Sequence, residues 1–403
     1  MTPKPSLAIL GAPPRFDRAL TVGQFHWPLW EGYEAASRDI FMRRFYTSQR
    51  FAGPLVVQFQ QRLEEFLGVK HVVVVRNATN ALMIATHTMG LRGTVLVPAW
   101  TFVASVQALA WSNCKPAFCD IDLDTQQMST PSVRRLLDRG GIVGILGIHC
   151  GGGVAPVDAL ARLSEEYRVP LYYDAAQAFG CRVNDRAVGS FGQTEVFSFH
   201  AANILNTAEG GCLATNDDAL ASQFVAMRGD HVPSSGVMMQ SATSRLSEIQ
   251  AAIGLMLLDE FEVIRQNNEK QHRLYENRLG RIPGIGLLKP AGVTLSNFQH
   301  AVCTVDAFAF GLNRDQLLAV LKAENVAAER QFHPLPHSIP PFLEGGTEPG
   351  GLVNTELAAQ RTLQLPIGAL LSNARIDLIC ETISEAHRQA DAIQAVCRTS
   401  VAA

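Results

Sequence analysis

The chain has 403 residues, 47% of them hydrophobic and 18% charged, with a net charge of −3 at pH 7. That length exceeds one small core and indicates a large domain with a smaller companion. The composition excludes a disordered chain, and the near-neutral charge excludes strong steering of nucleic acid or an anionic membrane. Eight scattered cysteines form no CxxC pair, and no apolar run approaches the roughly 20 residues that span a bilayer. A soluble cytoplasmic protein with reduced thiols is the expectation.

Residues 1–54 are expected to form an arm that packs on the domain boundary or on a partner subunit. From 55 to 262 helical and strand patterns alternate. VVQFQQRLEEFLG (56–68) has helical spacing and stops at Gly68, and HVVVV (71–75) suits a strand buried on both faces. Helix is predicted from Thr79 to Met89 and from Phe102 to Trp111. Strands are predicted at 94–98, 115–122, 141–149, 169–176, 195–199 and 211–215. Strands separated by helix-length segments imply an α/β fold with a mostly parallel sheet covered on both faces. Residues 263–403 form a second unit, with helices from Arg265 to Leu279, Asp315 to Asn325 and Ala374 to Ala390, and a strand from Gln299 to Val305. PLPHSIPPF (334–342) is expected to be a loop.

Three segments carry chemistry. In RNATNAL (76–82) a strand gives way to a helix, where the amides of Ala78 and Thr79 and the Thr79 hydroxyl can cradle a phosphate. A plain helix cap has the same appearance. YYDAAQAFG (172–180) places Asp174 at the end of an apolar strand, with Gln177 three residues on. A buried carboxylate there needs a cationic partner, and a protonated pyridine nitrogen is one. A magnesium site or a structural cap is the alternative. In FSFHAANILNTAEGG (197–211) a strand ends at Ser198, whose hydroxyl can meet the same phosphate.

In this order, these segments resemble the DegT/StrS family of pyridoxal-phosphate aminotransferases, best known for aminating nucleotide-linked keto sugars. VLVPAWTFVAS (95–105), SRLSEIQAAIGL (244–255), RQFHPLPHS (330–338) and LQLPIG (363–368) extend the likeness along almost the whole chain. The resemblance implies aminotransferase fold type I, with a seven-stranded-type large domain and a smaller α+β C-terminal domain. It implies pyridoxal or pyridoxamine phosphate as cofactor, with Asp174 at the ring nitrogen, Gln177 near the ring hydroxyl, Phe102 stacked on the ring and Ser198 at the phosphate. His337 would lie near a small-molecule substrate. The implied assembly is a two-fold dimer in which Thr243 and Arg245 reach the neighbouring subunit's site. No metal is implied.

The family pattern SFHATK has lysine where this chain has Asn203. An amide nitrogen is not nucleophilic and cannot form the imine that the lysine forms. The chain's lysines are Lys4, Lys70, Lys115, Lys270, Lys289 and Lys322, and none falls in a pocket motif. His200 stands three residues before Asn203, but a histidine is usual there beside the lysine. Other departures are Thr243 for an asparagine, the glycine-rich CGGGVAPVDAL (150–160) and MRGDH (227–231). Three readings follow: a keto-sugar aminotransferase with a replaced or engineered lysine, a lysine-free enzyme holding its cofactor non-covalently for dehydration or other chemistry, and a non-catalytic or cofactor-free homologue.

Overall fold

In the computed structural model, residues 6–47, 52–229, 241–348 and 350–401 are described. The elements of the first part are α1 (Trp30–Arg43), α2 (Pro54–Leu67), β1 (His71–Val75), α3 (Ala78–Thr88), β2 (Gly93–Pro98), α4 (Val103–Trp111) and β3 (Cys114–Cys119). They continue with α5 (Thr130–Asp138), β4 (Ile142–Ile148), α6 (Val157–Tyr167), β5 (Leu171–Asp174), β6 (Glu195–Ser198), β7 (Gly211–Thr215), α7 (Asp218–Arg228), α8 (Glu248–Asp259) and α9 (Phe261–Leu279). Local chemistry sets the boundaries. Pro54 opens α2 and Gly68, at φ +64°, closes it. Asn77 caps α3 by accepting from the Asn80 amide, and Ser247 with Gln250 forms a capping box on α8.

Beyond α9 lie β8 (Ile285–Leu287), β9 (Ala301–Val305), α10 (Arg314–Ala323), β10 (Glu329–Arg330), β11 (Gly346–Thr347), β12 (Thr362–Leu365) and α11 (Asn373–Arg388). The main sheet has the order β11-β3-β2-β4-β5-β6-β7-β1, parallel except for β7. The expected seven strands are therefore joined by an eighth: two residues from the C-terminal part extend the sheet beside β3. A smaller antiparallel sheet runs β8-β9-β12-β10.

Adjacent residues of β5 show how both faces are filled. Tyr173 enters the core formed with α2, α6 and α8, while Tyr172 enters the one beneath α3 and α4. Aromatic pairs such as Phe66 on Phe179, with centroids 5.1 Å apart, fill the first of these. A third core surrounds the small sheet with Tyr275, Leu317 and Ile379, and Leu7, Phe16 and Leu20 of the arm belong to it. Conversely, Phe342 and Leu352 pack into the large-sheet core, so the chain crosses between the two units more than once. The loop expected at 334–342 contains two short 3-10 turns, Pro336–Ser338 and Phe342–Glu344. No described helix is long and apolar enough to cross a membrane.

Candidate active site

The sheet register brings the separate motifs to one edge. Gly211 opens β7 and pairs with Val75 on one side and Ser198 on the other, so the start of α3 and the end of β6 lie across a single residue. A Cβ at Gly211 would lie 2.7 Å from the Ala78 nitrogen and 2.8 Å from the Phe197 carbonyl, so only glycine permits this approach. The Asn77 side chain caps Asn80 at 2.8 Å. The Ala78 and Thr79 amides are left without an acceptor among the described residues, as the first turn of a helix leaves them. Those amides lie at the positive end of α3, and Ser198 lies across Gly211 from the start of that helix.

Asp174 ends β5 beside Val196 of β6 and is 8% exposed. Its Oδ2 accepts from Ser105 Oγ at 2.7 Å, and its Oδ1 accepts from the Ala176 amide at 3.0 Å. Ser105 in turn accepts from Thr101 Oγ1 at 3.0 Å. Burial raises the Asp174 carboxyl above its ordinary value, with Ser105, the Ala176 amide and His149 opposing the shift. Among the described residues no side-chain cation pairs with it. His149 itself is committed elsewhere: it stacks on Tyr173, accepts at Nδ1 from the Ala155 amide, and its Nε2 faces Glu195 at 3.2 Å.

Gln177 Oε1 accepts from the Gly151 amide at 2.8 Å, which leaves its Nε2 as a donor. The glycine run makes that bond possible, because Gly151 and Gly152 adopt φ of +65° and +77°. Phe102 precedes α4 with its ring 62% exposed, on the segment that also carries Thr101 and Ser105. Asn203 is held at both ends: Nδ2 donates to the Ser198 carbonyl at 2.9 Å, and Oδ1 accepts from Gln299 Nε2 at 3.0 Å.

The His200 backbone joins this cluster, its amide donating to Ser198 Oγ at 3.4 Å and its carbonyl accepting from the Asn203 amide at 2.9 Å, but its side chain stands apart. Its side chain is 55% exposed, with Nδ1 accepting from the Ala202 amide and Nε2 3.8 Å from Glu209. Thr243 and Arg245 line a cavity of about 580 Å³ with Arg76, Asn77 and Glu209, next to the capped start of α3. Arg245 also donates to the Gly229 carbonyl. His337 packs edge-on to Phe118 and lies 3.8 Å from Glu356, sharing no described partner with Asp174 or Asn203. Of the 227–231 segment, the last two residues lie outside the described ones. Lys70, Lys115, Lys270, Lys289 and Lys322 are all exposed, and Lys4 is outside the described residues.

Sequence reasoning passed over Ser105 and Thr101, which lie inside a quoted motif but signal nothing until α4 folds back on β5. Gln299 and His300 were assigned to a strand that begins only at Ala301.

Free amides at the start of α3, an exposed aromatic ring and a buried carboxylate that no described side-chain cation pairs with fit a phosphorylated pyridinium cofactor. With this sheet they define a pyridoxal-phosphate-dependent enzyme of aminotransferase fold type I. Comparison with known proteins carries the assignment further. The chain belongs to the DegT/DnrJ/EryC1/StrS aminotransferase family, which it matches over residues 41–384. It is 28% identical over 370 residues to dTDP-4-amino-4,6-dideoxy-D-glucose transaminase of Shigella dysenteriae, covering 92% of this chain and 99% of that one. GDP-perosamine synthase of Caulobacter vibrioides is 28% identical over 340 residues, covering 83% and 90% of the two chains. The crystal structure of DesI in the presence of its TDP-sugar product superposes with a TM-score of 0.91 at 31% identity, over 97% of this chain and 99% of that one.

Proposed function

We propose that this chain holds pyridoxal or pyridoxamine phosphate non-covalently and acts on a nucleotide-linked keto sugar or a related metabolite, with Asn203 in the place of the family's lysine. The observation that carries the reading is Asp174: buried, pinned by Ser105 and the Ala176 amide, and without a side-chain cation among the described residues. In a chain that never bound a pyridinium, such a carboxylate would only destabilise the fold.

The residues divide the work as follows. Ala78, Thr79 and Ser198 would hold the phosphate, Phe102 would stack on the ring, and Gln177 Nε2, left free as a donor, would serve the ring hydroxyl. When bound, the cofactor supplies an electron sink for bond-breaking next to the substrate's nitrogen-bearing carbon. Asp174, kept ionised by the pyridinium, maintains that sink; the Thr101 and Ser105 hydroxyls aim its oxygens. Asn203 offers a hydrogen bond but no nucleophile and no basic nitrogen, so ordinary transamination should be slowed by about 10²–10⁴-fold or lost. This favours the reading in which the chain dehydrates or otherwise transforms its substrate. His337 keeps the substrate-side role that the resemblance gives it; His200 is a catalytic candidate only through its place three residues before Asn203, and its side chain is 55% exposed, 3.8 Å from Glu209.

A two-fold dimer with shared sites is part of the proposal. Trp27, Leu29, Trp30, Phe41 and Met42 of the arm and α1 are all more than half exposed, an apolar surface a second copy would cover. Thr243 and Arg245 then serve the second copy's phosphate. All eight cysteines are free thiols, which supports a cytoplasmic setting. Sedimentation should show a dimer, and a strict monomer would contradict the shared site. Titration with pyridoxal phosphate should show saturable binding with the spectrum of free aldehyde or hydrate. No binding at saturation would sink the proposal.

A further inference from the structure

Asn203 does not simply fill a gap; its carboxamide has one permitted sense. The Ser198 carbonyl can only accept, so Nδ2 must face it and Oδ1 must face Gln299. Gln299 is fixed in the same way. Its Oε1 accepts from the Ile204 amide at 2.9 Å, which turns Nε2 toward Asn203 Oδ1 and toward His300 Nε2 at 2.9 Å. His300 therefore accepts at Nε2 and carries its proton on Nδ1; Gln364 lies against Nδ1 through its Nε2, so its amide must be turned over to offer the oxygen there.

The backbone of Gln299 is bolted down as well. Its carbonyl accepts from Gln24 Nε2 at 2.8 Å, and its amide donates to Asn297 Oδ1 at 3.0 Å. Asn297 donates to the carbonyls of Gln177 and Phe179. The Asn203 loop and the Asp174–Gln177 segment are thus joined through one glutamine. No part of this chain of bonds carries a charge.

Resting on the function proposed above, we propose that Gln299 is a positioning residue that decides what position 203 can be. It holds Asn203 as a fixed neutral contact for the cofactor's reactive end, and it turns a donor against any lysine placed there. A lysine at 203 would put methylenes beside Gln299 Nε2 where Asn203 presents an oxygen, leaving that buried donor without its acceptor. Restoring the lysine alone therefore restores covalent anchoring only at the cost of that orphaned donor.

The test uses the full chain as Asn203→Lys, Gln299→Met and the double variant. Each is titrated with pyridoxal phosphate, reduced with borohydride, and scored by mass spectrometry for cofactor linked at residue 203. The double variant should be labelled about tenfold more than Asn203→Lys, the effect of relieving one unpaired buried donor. Equal labelling of the two would overturn the role of Gln299 while leaving the cofactor pocket standing. If no form, the unaltered chain included, binds pyridoxal phosphate, the proposed function itself fails. Should Asn203→Lys not fold, a cycle of Asn203→Ala, Gln299→Met and their combination decides the matter through the dissociation constant for pyridoxal phosphate. The second substitution should then add little to the first, and fully independent effects would overturn the inference.

Discussion

Replacing Asp174 by asparagine separates what the carboxylate costs the fold from what it gives the cofactor. Asparagine can keep both local bonds. Its Oδ1 still accepts from the Ala176 amide, and its Nδ2 donates to Ser105 Oγ, which turns its own proton to Thr101. The chain without cofactor loses only the penalty of holding a charge at an 8% exposed position. That penalty, about 1–3 kcal/mol, should appear as a rise of a few degrees in the melting temperature near pH 7. The sign follows from the raised carboxyl. Its contribution to stability is full below the ordinary value of 3.8 and is lost as pH rises through the raised one. The advantage of Asp174→Asn should therefore fade as pH approaches 3.8. Pyridoxal phosphate affinity should move the other way, weakening about 10–100-fold with the loss of a charge-assisted hydrogen bond worth about 1.5–3 kcal/mol. Calorimetry of the cofactor-free chain and a binding titration read the two effects separately. A lower melting temperature with unchanged affinity would refute the pyridinium role.

Other outcomes follow from single contacts. Phe102→Ala should weaken pyridoxal phosphate binding by about 3–10-fold, the worth of one ring stack, with little change in stability because the ring is largely exposed. His300, lowered to about 4 by burial, is a base whose contribution is present above 6.5 and is lost as pH falls toward 4. His300→Gln should accordingly flatten the fall in urea midpoint across that window, and a slope equal to the unaltered chain's would count against a half-buried neutral imidazole. The fully buried Glu248 caps the first turn of α2 through the Leu55 and Val56 amides at 3.1 and 3.0 Å. Glu248→Ala should cost about 1–3 kcal/mol per orphaned amide, measured by chemical denaturation.

The large sheet was legible because its strands are short apolar runs with glycine or proline at their ends. The position of Asp174 at a strand terminus needed nothing more than LYYD running on into AAQ. Helix boundaries shifted by a residue or two, as at Phe102, whose backbone is extended so that it precedes α4 rather than opening it. The eighth strand was not legible, since two residues at 346–347 carry no pattern and pair only because the chain returns to the edge of β3. Nor was the arm's division of labour: Leu7, Phe16 and Leu20 fill the small-sheet core while α1 leaves its aromatic residues exposed. In the site, the sequence has Asn203 where the pattern it resembles has lysine, but only the folded chain shows what holds Asn203. Gln299 lies 96 residues away, and its amide sense depends on a bond to Ile204 that no local pattern encodes.

The claim that matters most is that the cofactor is held here without a covalent link. The direct measurement is to saturate the chain with pyridoxal phosphate, divide the sample, and reduce one half with borohydride before denaturing both. Binding should saturate, both halves should release all cofactor on denaturation, and intact mass should show no adduct. Cofactor retained on a lysine of the reduced chain, or no saturable binding in either half, would contradict it.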